Sequence, residues 1–338
     1  MAINRREFAA AVAAAVASTA TGASARPGTD LAGRTRQITI QSALVPNPVS
    51  VTVYLPANAE GAGQGKLPLM LFLHGGNGSD RDLLRFVPAI DAAMAGGAVP
   101  PMAIAMPSAG RSLYMDFKDG SQRWESFVLG DLLARLRQEL PVSSERRLTF
   151  VGGVSMGGLG SLRLAFKHPD VFGAVASLEP AIEPALAWDQ VGPRVKFWRP
   201  ESVLAPMFGA PIDRDYWAAN NPATIASRDP ARLYDLPIYL DVGDQDMLYL
   251  TEGAEFLHRI LFDAGIGHEF RMVHGADHVG PSLAPRLIDA LGFLGRQIVP
   301  PRWIDETVLK TRANFGAMKA AIGMPDAPVD PRRIHGRY

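Results

Sequence analysis

Two short runs near the start of the chain, residues 36–40 and 49–55, alternate polar and apolar side chains, with Pro46-Asn47-Pro48 between them. A period of two turns one face of each run toward a core, so the pattern predicts a β-hairpin. Gly61 to Gly65 predicts a loop. From Leu67 to Leu73 the pattern becomes almost continuously apolar and ends in His74-Gly75-Gly76-Asn77-Gly78. A strand that is apolar on both faces belongs to a parallel sheet covered on two sides.

The same rhythm continues downstream. Strands are predicted over 98–106, 148–152, 172–178, 237–242 and 268–273, and helices over 124–140, 157–167, 252–264 and 283–298. Strands and helices in turn predict βαβ units, hence an α/β fold with a mostly parallel, doubly wound sheet. No internal repeat is visible. Two segments break the rhythm. Residues 180–222 hold five prolines between Pro180 and Pro206, with Trp188, Phe197, Trp198, Tyr216 and Trp217. A long irregular insertion after a sheet strand predicts a lid or pocket wall. Beyond Pro300 a proline-bounded tail has one predicted helix, over 306–322. The expected organisation is a signal over 1–25, a catalytic domain over 26–300 and a tail over 301–338.

Charge narrows the choice of partner. The 338 residues carry 34 Lys plus Arg against 34 Asp plus Glu. With no net charge there is no basic field to hold nucleic acid or anionic lipid, and a small molecule is the expected partner. The chain has no cysteine. That excludes disulfides, thiolate nucleophiles and cysteine-bound zinc. At the N-terminus, Asn4-Arg5-Arg6-Glu7-Phe8 precedes an alanine/valine run reaching about Ala20, and Ala23-Ser24-Ala25 follows. A basic start, a short apolar run and a small-x-small ending predict a secretory signal. The paired arginines resemble a twin-arginine export signal. The run is shorter than the ~20 residues a membrane span needs. The expectation is therefore a periplasmic or secreted protein with no stable membrane anchor after cleavage near Arg26.

The strongest local chemistry is Gly153-Val154-Ser155-Met156-Gly157, where a predicted strand turns straight into a predicted helix. Glycines flank the serine because so sharp a turn has no room for side chains, and the turn lifts the hydroxyl above the sheet's carboxyl edge. A serine hydroxyl needs a base, and the base an orienting acid, in the chain order Ser, Asp or Glu, His. Asp241, Asp244 and Asp246 follow one predicted strand, and His274 and His278 follow the next. His278 lies deeper in its loop, free to swing over the serine, and is preferred to His274. Asp246 closes a Gly-x-x-Asp turn and is preferred to Asp244, while Asp241 reads as a strand residue. The three acids lack the glycine and terminal glutamate of a calcium loop. No metal or cofactor is expected. The backbone N–H groups of Met156 and Gly76 are the expected oxyanion donors.

These residues resemble the esterase D-like family of α/β-hydrolases, which includes S-formylglutathione hydrolases, feruloyl and acetyl-xylan esterases and mycolyltransferases. The resemblance runs from about Thr35 to Ile298. It rests on Leu73-His74-Gly75-Gly76, Arg123-Trp124-Glu125-Ser126-Phe127, Gly153-Val154-Ser155-Met156-Gly157-Gly158 and Tyr216-Trp217 with Asn220-Asn221-Pro222. It implies an α/β-hydrolase fold and a serine esterase whose triad is Ser155, Asp246 and His278, with Gly76 and Met156 as oxyanion donors. Trp124 and Trp217 are candidate substrate contacts or scaffold. In place of the family's Ser-Gly after the fifth core strand stands Leu178-Glu179-Pro180, so substrate class does not carry over. Aryl or sugar esters suit the aromatic insertion. An acyltransferase using the same acyl-enzyme, and an inactive binding protein of this fold, are the alternatives.

Overall fold

The computed structural model describes residues 33–57, 59, 66–326 and 331–334. The predicted signal over 1–25 and the loop at Gly61 to Gly65 lie outside them. The alternating runs form β1 (Arg34–Ile40) and β2 (Val49–Leu55), antiparallel with Ile40 opposite Val49. The apolar run forms β3 (Leu69–Leu73), followed by α1 (Leu83–Ala95). That helix is unexpected, because Pro88 in its middle reads as a breaker. The run over 98–106 yields only β4 (Ala103–Pro107), since Pro100 and Pro101 lack the N–H groups a ladder needs. The helix predicted over 124–140 is α2 (Trp124–Phe127), a π-turn at Val128–Leu132 and α3 (Leu133–Glu139).

Next come β5 (Thr149–Val154), α4 (Met156–Lys167) and β6 (Ala174–Leu178). After the insertion, β7 (Ile238–Gly243), α9 (Leu250–Asp263), β8 (His268–Val273) and α10 (Leu283–Ile298) complete the alternation, and α11 (Glu306–Ala321) follows. Among the described residues eight strands form one sheet in the order β1-β2-β4-β3-β5-β6-β7-β8. β1, β2 and β4 pair antiparallel, and every pairing from β4 through β3 to β8 is parallel. This is a mostly parallel, doubly wound α/β-hydrolase sheet.

Successive strand residues point to opposite faces, and both faces are buried. Leu69, Leu71, Leu73, Val151 and Val175 meet Leu159 and Leu162 of α4 and Leu257 of α9 on one face. Met70, Phe72, Phe150 and Tyr239 meet Ile90 of α1 and Leu287 and Leu291 of α10 on the other. Each such side chain is worth ~1.5–3 kcal/mol when fully buried, so the sheet is pinned from both sides. No helix among the described residues is long and apolar enough to cross a membrane.

The insertion is more ordered than its prolines suggest. It holds α5 (Pro193–Lys196), α6 (Glu201–Phe208), α7 (Arg214–Asn220) and α8 (Pro222–Arg228) among the described residues. Asp213 caps α7 by accepting the Tyr216 N–H at 2.8 Å, and Asn221 caps α8 by accepting the Ala223 N–H at 2.9 Å. Leu204, Met207, Phe208 and Trp217 join the core on the α4 face. The buried Arg163 of α4 donates to the carbonyls of Asn220 at 2.6 Å and Leu113 at 2.5 Å, riveting the insertion to the sheet layer.

Candidate active site

Ser155 sits in the turn between β5 and α4 with φ 59 and ψ −115, a backbone state that costs of order 1–3 kcal/mol for a residue with a side chain. Its surroundings hold it there. Its N–H donates to the Leu178 carbonyl at 2.9 Å, and its own carbonyl accepts the N–H groups of Leu159 at 2.9 Å and Ala181 at 3.1 Å. A Cβ on Gly157 would stand 2.0 Å from the Leu73 carbonyl oxygen, and one on Gly153 would stand 2.5 Å from the Gly157 carbonyl oxygen. Only glycine lets the strand, the turn and the helix close up around the serine.

The loop after β8 brings His278 over this turn, with Nε2 3.1 Å from Ser155 Oγ. Its Nδ1 lies 2.9 Å from Asp246 Oδ2. Asp246 Oδ1 accepts the backbone N–H groups of Leu248 at 2.7 Å and Leu250 at 3.3 Å. A carboxylate held this way takes the Nδ1–H of a neutral imidazole and leaves the Nε2 lone pair for the serine proton. Burial pushes Asp246 upward, but its bond with His278 and the other donors outweigh burial and hold it below the usual carboxylate range. Asp277 Oδ1 accepts both the His278 N–H at 2.6 Å and the Met247 N–H at 2.9 Å, so the acid loop and the histidine loop are tied together.

The competing residues are elsewhere. Asp244 Oδ2 meets His274 Nδ1 at 2.7 Å on the surface, and the His274 side chain is 96% exposed. That hydrogen bond and the Gly275 N–H hold Asp244 low. Asp241 is a buried β7 residue paired with Arg286 and accepting the Tyr239 hydroxyl at 3.2 Å.

Gly75 and Gly76 lie against the serine turn: a Cβ built on Gly75 would be 3.7 Å from Ser155 Cβ, and one on Gly76 would be 4.0 Å from Met156 Cβ. Met156 opens α4, so its N–H has no partner within the helix. The loop is fixed by buried His74. Its Nε2 accepts the Ala109 N–H at 3.0 Å, which leaves Nδ1–H to donate to the Gly75 carbonyl at 2.7 Å. Burial pushes this imidazole's pKa down, so it stays a neutral brace. Trp124 and Trp217, candidates for substrate contact or scaffold, are both buried. Trp124 donates to Gln122 Oε1 at 2.8 Å and packs on Phe127, and Trp217 is 1% exposed against Trp188. Their size favours filling the core over meeting solvent.

One neighbour escaped the sequence reading. Glu179, in the segment noted for its departure from the family pattern, is fully buried beside Asp246. Single ligand atoms of Glu179, Asp246 and His278 all lie within 4.8 Å of one another. Such a set could in principle hold a cation, yet the Asp246 and His278 atoms are already bonded to each other. The signal available in sequence was a bare acid at a strand end facing an acidic loop on the next strand.

Residues 42–294 match the model of the family described as "Putative esterase". The chain belongs to this esterase family. Among curated proteins, the chain is 28% identical over 267 residues to an esterase of Mycobacterium tuberculosis, covering 72% of this chain and 55% of that protein. Among solved structures it is similar to a ferulic acid esterase (TM-score 0.66, 21% identity, 79% of this chain and 99% of that one). An S-formylglutathione hydrolase from Agrobacterium tumefaciens gives TM-score 0.66 at 19% identity, with 80% and 97% coverage. Both structures share the α/β-hydrolase fold seen here. The chain spans about half the length of the curated relatives it matches.

Proposed function

We propose that this chain is an exported serine carboxylesterase that cleaves a small-molecule ester through an acyl-enzyme on Ser155. The observation that carries the reading is the continuous hydrogen-bonded line Asp246–His278–Ser155, with separations of 2.9 and 3.1 Å, ending on a serine at a strained turn. In the proposed reaction His278 Nε2 takes the Ser155 proton as Oγ attacks the ester carbonyl. The N–H groups of Met156 and Gly76 stabilise the resulting oxyanion. His278 then gives the proton to the departing alkoxide, and Asp246 balances the imidazolium in between. Water, activated by the same imidazole, attacks the acyl-enzyme and releases the acid. Family membership supports an ester as substrate, and similarity to a ferulic acid esterase supports an aryl ester. Export rests on Arg5-Arg6 and the apolar run behind them.

A fluorophosphonate probe should label the parent on Ser155 and leave Ser155→Ala unlabelled. A panel of p-nitrophenyl, feruloyl and acetyl-sugar esters should show turnover that Ser155→Ala and His278→Ala each abolish almost completely. The double variant should be no worse than either single one, because the two side chains act as a unit. With a glycosyl acceptor present, free acid should remain the product; acyl sugar would assign the chain as a transferase. N-terminal sequencing of the mature protein should begin near Arg26, and Arg5→Lys with Arg6→Lys should block export.

A further inference from the structure

The proposed reaction leaves one buried titratable group beside the triad without a task. Glu179 directly follows β6, is fully buried, and has φ 48, in the left-handed region. A glutamate is not kept there by its own backbone preference. Its N–H donates to the Asp241 carbonyl at 3.0 Å. Its carboxyl accepts the Gly243 N–H at 3.3 Å and an N–H of Arg286 Nη1. The other Arg286 nitrogen, Nη2, is committed to Asp241, which also takes the Tyr239 hydroxyl. The remaining neighbour is Asp246: a carboxyl oxygen of Glu179 and one of Asp246 lie within 4.8 Å of each other.

Two buried carboxyls this close cannot both be ionised cheaply, and a proton kept on one of them lets that one donate to the other. The charged and titratable groups facing Glu179 are Arg286 of α10, Asp241 and, through it, Tyr239 of β7, and Asp246 and His278 of the two loops. They supply one fixed cation, already shared with Asp241. Asp246 is the better-solvated anion, because it receives two backbone N–H groups and the imidazole. The proton therefore belongs to the other carboxyl. We propose that Glu179 is a positioning residue: as a neutral acid gripped by Arg286, it donates a hydrogen bond to the Asp246 carboxylate and fixes the oxygen that faces His278. The directions of titration agree, since burial raises Glu179 to about 7 while Asp246 is held low. This inference rests on the Ser155–His278–Asp246 reading above.

Two substitutions separate this role from simple packing. Glu179→Gln keeps an N–H donor for Asp246 and an oxygen for Arg286 but cannot ionise. Glu179→Met keeps the volume and loses the donor. With p-nitrophenyl acetate across the neutral pH range, Glu179→Gln should keep kcat within about threefold of the parent. Its kcat should also stay level as pH rises through about 7, where the parent loses the Glu179 proton and with it the donor to Asp246. Glu179→Met should lose about tenfold or more in kcat with KM unchanged, the effect of one hydrogen bond to a charged group. Equal losses in both variants, with the parent's pH profile, would overturn the proposal and leave Glu179 a mere partner of Arg286. The parent supplies a readout that needs no folded variant. The side-chain carboxyl carbon of Glu179, followed by carbon NMR, should keep the shift of a neutral acid until about pH 7, and a carboxylate shift already in the ordinary glutamate range overturns the proposal. If Ser155→Ala keeps full activity, the reading of the whole site has failed; if only the Glu179 results go the wrong way, this inference alone has failed.

Discussion

A hydroxyl that must be both exposed and aimed is hard to obtain from a residue in an ordinary helix or strand, and Ser155 obtains it from a turn that only its glycine neighbours permit. That is why a candidate nucleophile was legible in sequence: its whole requirement is local, within five consecutive residues. The proposed acid was less so, since Asp244 and Asp246 differ only in which loop residue turns inward. Asp246→Asn should lower kcat by up to ~10⁴ through the wrong imidazole tautomer, whereas Asp244→Asn, on a surface pair, should stay near the parent. Steady-state rates of the two variants check this, and a reversal would make Asp244 the acid. Glu179 was not legible as a neighbour of Asp246, because their contact exists only once β6 and β7 pair in parallel. It has a further consequence for stability. Its carboxyl is raised from the usual range to about 7. The folded chain thus binds that proton more tightly than the unfolded chain, so the stability it contributes is full below the usual carboxylate range and is lost as pH rises to about 7. Denaturant unfolding of the parent should therefore weaken between about pH 5 and 7 relative to Glu179→Gln.

At the level of elements, periodicity served best where one face of a segment is buried. α10, buried along one face, occupies the predicted span 283–298. It served worst where proline intrudes: α1 runs through Pro88, and α6 contains Pro206. Such helices survive because burial of their apolar side chains in the core outweighs the missing hydrogen bond, a term invisible in local sequence. The junctions between elements are less forgiving. Gly157→Ala would drive a methyl group into the Leu73 carbonyl, and overpacking of this kind costs ~1–3 kcal/mol. Urea unfolding should show at least that loss, together with reduced turnover as Ser155 is displaced. Gly130, in the π-turn, has open space around an added Cβ and no left-handed φ. Gly130→Ala should be neutral or stabilising by ~0.4–1 kcal/mol, which makes it the matched control.

Over the whole molecule, loops following β3, β5, β7 and β8 converge at the carboxyl ends of the parallel strands, while the helices beneath carry the packing. α11 stands outside this scheme, with no buried residue along its length. A chain ending at Pro300 should therefore melt within about 2–4 °C of the parent, with unchanged kcat on the same esters. The six described histidines also differ sharply in access. His74 and His278 are buried, His168 is held by Glu125, His258 and His268 bond to each other, and His274 stands almost wholly in solvent. An acylating reagent for imidazole would spend its first equivalents on His274, where nothing in the proposed chemistry depends on it. Modified residues would accumulate before any activity disappeared, and a substrate-like ligand would protect the rate without protecting that first histidine.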